Sequence, residues 1–244
     1  MTATVSVRRR VSPYYHSGAL VYRILRFIVS GLVRIVYRYH AEGMENVPPS
    51  GPVILVVNHL HLFDPGVVAT AISRKIVTLA AGKWRDHIVI NTFLKLAGVI
   101  FVKRGEVDRR ALKACLDVLE SGTMLAIAPE GTRSKTGAMQ RAKPGVAYIA
   151  QKANAVIVPV AHWGVERVRE WRHLKRPECH VVIGKPFRLP QLSGKVTTDQ
   201  LQELADLVMV QIGQYLPESY RGVYAERIAA YLAGERGDLQ VLPV

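Results

Sequence analysis

The segment Asn58-His59-Leu60-His61-Leu62-Phe63-Asp64-Pro65 places an imidazole and a carboxylate five positions apart, a spacing that a short loop can fold back into contact. In that geometry Asp64 accepts a hydrogen bond from one ring nitrogen of His59 and leaves the other nitrogen basic and outward-facing, as a general base requires. The same residues have blander explanations. Asp64 before Pro65 is a good helix N-cap followed by the residue favoured at the first helical position. His59 and His61 suit a polar loop equally well.

A metal is a third reading. His59-x-His61-x-x-Asp64 is similar to the His-x-His-x-Asp-His run of zinc-dependent hydrolases, but the aspartate comes one place late and Pro65 stands where a histidine belongs. The sequence therefore predicts no metal site. Other chemistries lack their residues: there is no Gly-x-Ser-x-Gly elbow and no Walker lysine loop. A His-Asp pair without a nucleophile of its own suits activation of a hydroxyl on the substrate.

The elements that must hold this pair follow from the apolar pattern. Residues 52–57 form an apolar run that reads as a buried strand, and Asp64 opens a helix to Ser73. Further strands are expected at 76–81, 99–102, 123–128, 156–161 and 179–183, and helices at 86–97, 107–120, 144–153 and 197–216, the last with a Thr-x-x-Gln capping box. Residues 220–232 suit a helix, and the remaining tail carries no clear signal. This alternation predicts an α/β fold with a largely parallel sheet flanked by helices.

In such a sheet three strand ends deliver polar groups to one edge, where ligands of α/β folds bind. These are Asn58-His59, Lys103-Arg104 and Glu130-Gly131-Thr132-Arg133. Arginine forks offer paired hydrogen bonds to phosphate oxygens. Gly131 lets a ligand approach the backbone, and Lys143-Pro144-Gly145 sets a cation at the next helix start. Each residue alone is equally well read as solvated charge or turn chemistry; together they describe a clamp for a phosphate monoester.

With 244 residues, 49% of them hydrophobic, the chain can bury a full core. Cys115 and Cys179 form no Cys-x-x-Cys pair, which fits a reducing cytosolic compartment. Thirty-three Lys and Arg against 19 Asp and Glu give a net charge of +14 and favour an anionic partner. No nucleic-acid-binding motif accompanies the charge, so nucleic acid is not expected. The N-terminus points to membrane instead. After Arg8-Arg9-Arg10, residues 19–38 read as a helix of about 100° per residue in which Arg23, Arg26, Ser30, Arg34 and Arg38 share one sector and Val21, Ile24, Leu25, Ile28, Leu32 and Ile35 lie across from it. That helix is too interrupted to span a bilayer and suits the interface. The expected organisation is a basic membrane-associating segment over 1–42, an α/β domain over 43–216 and a helical tail over 217–244.

Several ordered blocks resemble those of the PlsC-type glycerophospholipid acyltransferases, the family that includes 1-acylglycerol-3-phosphate acyltransferases. Asn58-His59-x4-Asp64 is similar to the catalytic block, Gly98 to Arg104 to the second, Pro129 to Ser134 to the Glu-Gly-Thr-Arg block, and Ile157-Val158-Pro159-Val160 to the apolar fourth. Ala142-Lys143-Pro144-Gly145 departs from the usual Phe-Lys-x-Gly by its alanine. The resemblance implies His59 and Asp64 as the catalytic pair. It implies Asn58, Lys103, Arg104, Glu130, Gly131, Thr132, Arg133 and Lys143 around the substrate. The implied reaction is transfer of a fatty acyl chain from acyl-CoA or acyl carrier protein to lysophosphatidic acid, with no cofactor. Another lysophospholipid acceptor is the alternative within the family, and a zinc hydrolase or a lipid binder without chemistry lies outside it. The expected location is the cytoplasmic face of the cell membrane, against anionic phospholipid.

Overall fold

Strands that are apolar at consecutive rather than alternate positions need cover on both faces, which a parallel sheet between helix layers provides. In the computed structural model, which describes residues 18–103, 108–173, 175–235 and 241–244, the chain forms α1 (Ala19–Val36), β1 (Arg38–Glu42), β2 (Val53–Val57), α2 (Asp64–Ala71), β3 (Ile76–Ala81), α3 (Ile88–Ala97), β4 (Val99–Val102) and α4 (Arg109–Glu120). There follow β5 (Met124–Ile127), α5 (Gly145–Ala153), β6 (Val156–Trp163), β7 (Glu178–Ile183), β8 (Phe187–Arg188), α6 (Thr198–Gly213), α7 (Ala225–Leu232) and β9 (Leu242–Pro243).

The strands lie in the order β1-β7-β6-β2-β5-β3-β4. From β6 to β4 all neighbours are parallel. β7 joins β6 antiparallel, and β1 runs parallel to β7. The fold is thus α/β with a mostly parallel sheet, and the carboxyl ends of β2, β4 and β5 share one edge. Side chains of β2 alternate between two cores. Val53 and Leu55 pack with Val67, Val68 and Val33 of α2 and α1, whereas Ile54 and Val56 pack with Ala114, Val118, Val146 and Val208 of α4, α5 and α6. Leu55 is fully buried, so truncating it to alanine costs about 2–5 kcal/mol.

Two features differ from the sequence reading. Arg38–Glu42 is a strand, not the end of a helix: its burial alternates, and it pairs with β7 along five residues. Residues 217–232 are tied into the same core through Tyr224 and Ile228.

α1 lies against α2 in an unusual sense. Its buried residues are Tyr22, Ser30 and Val33, and Arg26 Nη1 donates to the Ile72 carbonyl at 2.7 Å. Part of the sector that carries its arginines therefore faces the protein. Leu20, Ile24, Phe27, Ile28, Leu32 and Ile35 point away from it and are 52–80% exposed. No helix among the described residues is long and apolar enough to cross a membrane. The triplet Arg8-Arg9-Arg10 lies outside the described residues.

Candidate active site

The short loop between β2 and α2 folds Asp64 back on His59. Asp64 Oδ2 lies 2.7 Å from His59 Nδ1 and accepts from the Leu60 amide at 2.8 Å, while Oδ1 accepts from the His61 amide at 2.9 Å. Asp64 does not cap its helix: the N-cap position is Phe63, with no side-chain cap bond. The local capping explanation therefore fails. Asp64 is 2% exposed, whereas the His59 side chain keeps 18% of its surface. With Nδ1 turned inward, Nε2 is the nitrogen left for a substrate.

The backbone of His59 is held on both sides by the loop after β5. Its amide donates to Glu130 Oε1 at 3.0 Å, and its carbonyl accepts from the Ser134 amide at 2.7 Å. Glu130 Oε2 accepts from the amide and the side chain of Gln140 at 3.0 and 3.3 Å. Burial pushes the Glu130 carboxyl above its ordinary range, against the opposing pull of these hydrogen bonds. On the other side Asn58 Nδ2 donates to the His162 carbonyl at 2.8 Å and Asn58 Oδ1 accepts from the His162 amide at 2.9 Å, clamping β2 to β6.

Asn58 and Glu130 therefore move from the expected substrate contacts to the frame. Both are buried, and every polar end of their side chains has a protein partner. His162 and Gln140 were not visible as site residues in sequence. Nothing in their local pattern marks them, and their partners Asn58 and Glu130 lie 104 and 10 residues away in the chain.

The remaining polar groups gather on the same edge. Gly131 has φ +69°, and a Cβ there would sit 3.1 Å from Lys143 Cδ and 3.4 Å from its Nζ, so the lysine lies across the glycine. Thr132 is half-buried and Arg133 exposed. The charge of Arg133 reaches His61, whose imidazole pKa is pushed down chiefly by burial, with Asp64 acting in the opposite direction. Lys103 is exposed, its amide bonded to Asp108. Arg104 lies outside the described residues.

The zinc arrangement of His59, His61 and Asp64 does not form. Among the described residues no three His, Cys, Asp or Glu side chains are grouped to hold a metal ion. The Asp64 oxygens already serve His59 and two amides, and the His61 ring packs edge-on against Phe63.

Residues 38–163 match the model of a family described as Acyltransferase. The chain belongs to the acyltransferase family. It is 29% identical over 161 residues to a chloroplast 1-acyl-sn-glycerol-3-phosphate acyltransferase of Arabidopsis thaliana, a match covering 62% of this chain and 44% of that one. It is 33% identical over 121 residues to a 1-acyl-sn-glycerol-3-phosphate acyltransferase of Borreliella burgdorferi, covering 48% of each. With the human alpha enzyme of that name it shares 27% over 197 residues, 76% of this chain and 66% of the other. The first relatives named are thus matched over about half of their own length. The fold also resembles that of the crystal structure of a 1-acyl-sn-glycerophosphate acyltransferase, PlsC, from Thermotoga maritima, with a TM-score of 0.59 and 22% identity over 76% of this chain and 75% of that one. The matched region runs from β1 to the end of β6 and so contains the His59–Asp64 pair, its frame and both loops that carry cations.

Proposed function

We propose that this acyltransferase moves a fatty acyl chain from a thioester, acyl-CoA or acyl carrier protein, to the free hydroxyl of 1-acylglycerol-3-phosphate, making phosphatidic acid. The observation that carries the reading is the 2.7 Å contact between His59 Nδ1 and Asp64 Oδ2, in a histidine whose side chain keeps 18% of its surface. His59 Nε2 takes the proton of the acceptor hydroxyl as its oxygen attacks the thioester carbonyl carbon. Asp64 stabilises the imidazolium that forms. The carbon–sulfur bond then breaks, and the thiolate leaves as a thiol with the proton returned by His59. An acyl thioester is already activated, so this route needs neither an enzyme nucleophile nor a cofactor. Lys103, Arg104, Thr132, Arg133 and Lys143 supply cations and a hydroxyl for the acceptor phosphate. Gly131 gives that phosphate backbone access, and such orientation is a large part of the rate.

The membrane is the expected partner, and the outward apolar face of α1 supports it. Phe27 is 80% exposed, and the exposed Arg23 and Arg34 on the same helix suit anionic headgroups. Leu62 and Phe63, in the loop that carries the dyad, are each about half exposed. This surface would hold the site at the cytoplasmic face of the bilayer, where a lysolipid acceptor resides.

An acyl-transfer assay with purified protein, both donors and a panel of lysolipids tests the reading. Lysophosphatidic acid should be the preferred acceptor, and His59→Ala should lower kcat by about 10²–10⁴-fold in a protein that still unfolds cooperatively on heating. Undiminished turnover in that variant would remove His59 as the base.

A further inference from the structure

His162 stands next to last in β6 and is fully buried. Val57 pairs with Val160 in the β2–β6 ladder, so continuing that register sets His162 beside His59. Its Nε2 lies 2.7 Å from the carbonyl oxygen of Asn58. A carbonyl oxygen only accepts, so the ring proton sits on Nε2. Nδ1 then carries a bare lone pair, and this atom is buried without a hydrogen-bond partner among the described residues.

The rest of β6, from Val156 to Ala161, is apolar and fills the core. A residue needed only for packing would continue that pattern, since an unpartnered buried nitrogen is unfavourable. The polar ring is explained by what its Nε2–H reaches. That contact is the Asn58 carbonyl, which belongs to the peptide that leads into His59. Asp64 Oδ2, the oxygen that meets His59 Nδ1, lies 3.7 Å from the same nitrogen, near it but beyond hydrogen-bond length.

We propose that His162 is a positioning residue for the dyad, holding through its Nε2–H the peptide that carries His59. The inference rests on the acyl-transfer reading and deepens it. His162 touches no substrate. It fixes where His59 points, so its loss slows the chemical step without weakening substrate binding.

The test compares His162→Gln, whose amide can place an N–H near the position of Nε2, with His162→Leu, which fills the space without a donor. Each is assayed with the thioester and lysophosphatidic acid, beside wild type and His59→Ala. His162→Leu should lose about ten- to a hundredfold in kcat with both KM values within about twofold, and His162→Gln should recover most of the loss. Wild-type kcat in His162→Leu, or a loss that Gln does not rescue, overturns the proposal. If the leucine variant does not fold, ¹⁵N-histidine spectra of the wild-type protein decide, with the His162 signal assigned by its disappearance in His162→Gln. A proton on Nε2 with Nδ1 bare supports the proposal, and the reverse tautomer overturns it. Full activity in His59→Ala defeats the dyad reading and this inference together, whereas an inactive His59→Ala beside unaffected His162 variants defeats this inference alone.

Discussion

An aspartate that accepts from His59 Nδ1 and from two backbone amides cannot become asparagine without turning an acceptor oxygen into a donor that faces donors. Asp64→Asn should therefore lower kcat by about 10²–10⁴-fold and cost about 1–3 kcal/mol of stability, read by steady-state kinetics and thermal unfolding. The cysteines give a second prediction at this scale. Burial pushes the Cys115 and Cys179 thiols up to about 12. Both should resist alkylation at neutral pH in the native protein and react once it is unfolded, as mass spectrometry would count. The sign of the linkage follows. The folded state holds these protons more tightly than the unfolded chain, so the thiols contribute stability that falls as pH rises above about 8.5.

At the scale of the elements, the turn out of β6 depends on a glycine. Gly164 has φ +84°, and a Cβ there would lie 2.1 Å from the Glu178 carbonyl oxygen, a backbone atom that cannot swing aside. Gly164→Ala should destabilise the protein by more than about 1–2 kcal/mol, measured by urea unfolding. Elements such as β2 were legible in sequence because five consecutive apolar residues can be only a doubly covered strand or a buried helix, and the following Asp-Pro limits the length. The capping box of α6 was equally plain and is present, with Thr197 and Gln200 bonded reciprocally. β1 escaped because Arg38–Glu42 is half-buried and exists through its pairing with β7, residues 178–182, a distant contact without local trace. The site divides the same way. The dyad could be read because its partners are five residues apart, whereas the motif alone could not show that Asn58 and Glu130 spend their hydrogen bonds on β6 and on the His59 backbone. Burial belongs to the folded chain.

At the scale of the whole molecule, one side of the protein is finished by a helix that seats part of its polar sector inward. Phe27, Ile28 and Leu32 are 80, 52 and 56% exposed. Replacing all three by serine should leave the unfolding temperature almost unchanged, because little native contact is lost beyond a modest drop in helix propensity. The same variant should lose sedimentation with vesicles containing anionic phospholipid. Retained sedimentation would mean that another surface does the docking.

The orientation of α1 has a practical corollary. In plain buffer each copy carries an exposed ridge of Leu20, Ile24, Phe27, Ile28, Leu32 and Ile35, and copies can shield these ridges on one another. The apparent mass in gel filtration should then track the amount of detergent, falling to that of a single 27.1 kDa chain plus its micelle once amphiphile coats the ridge.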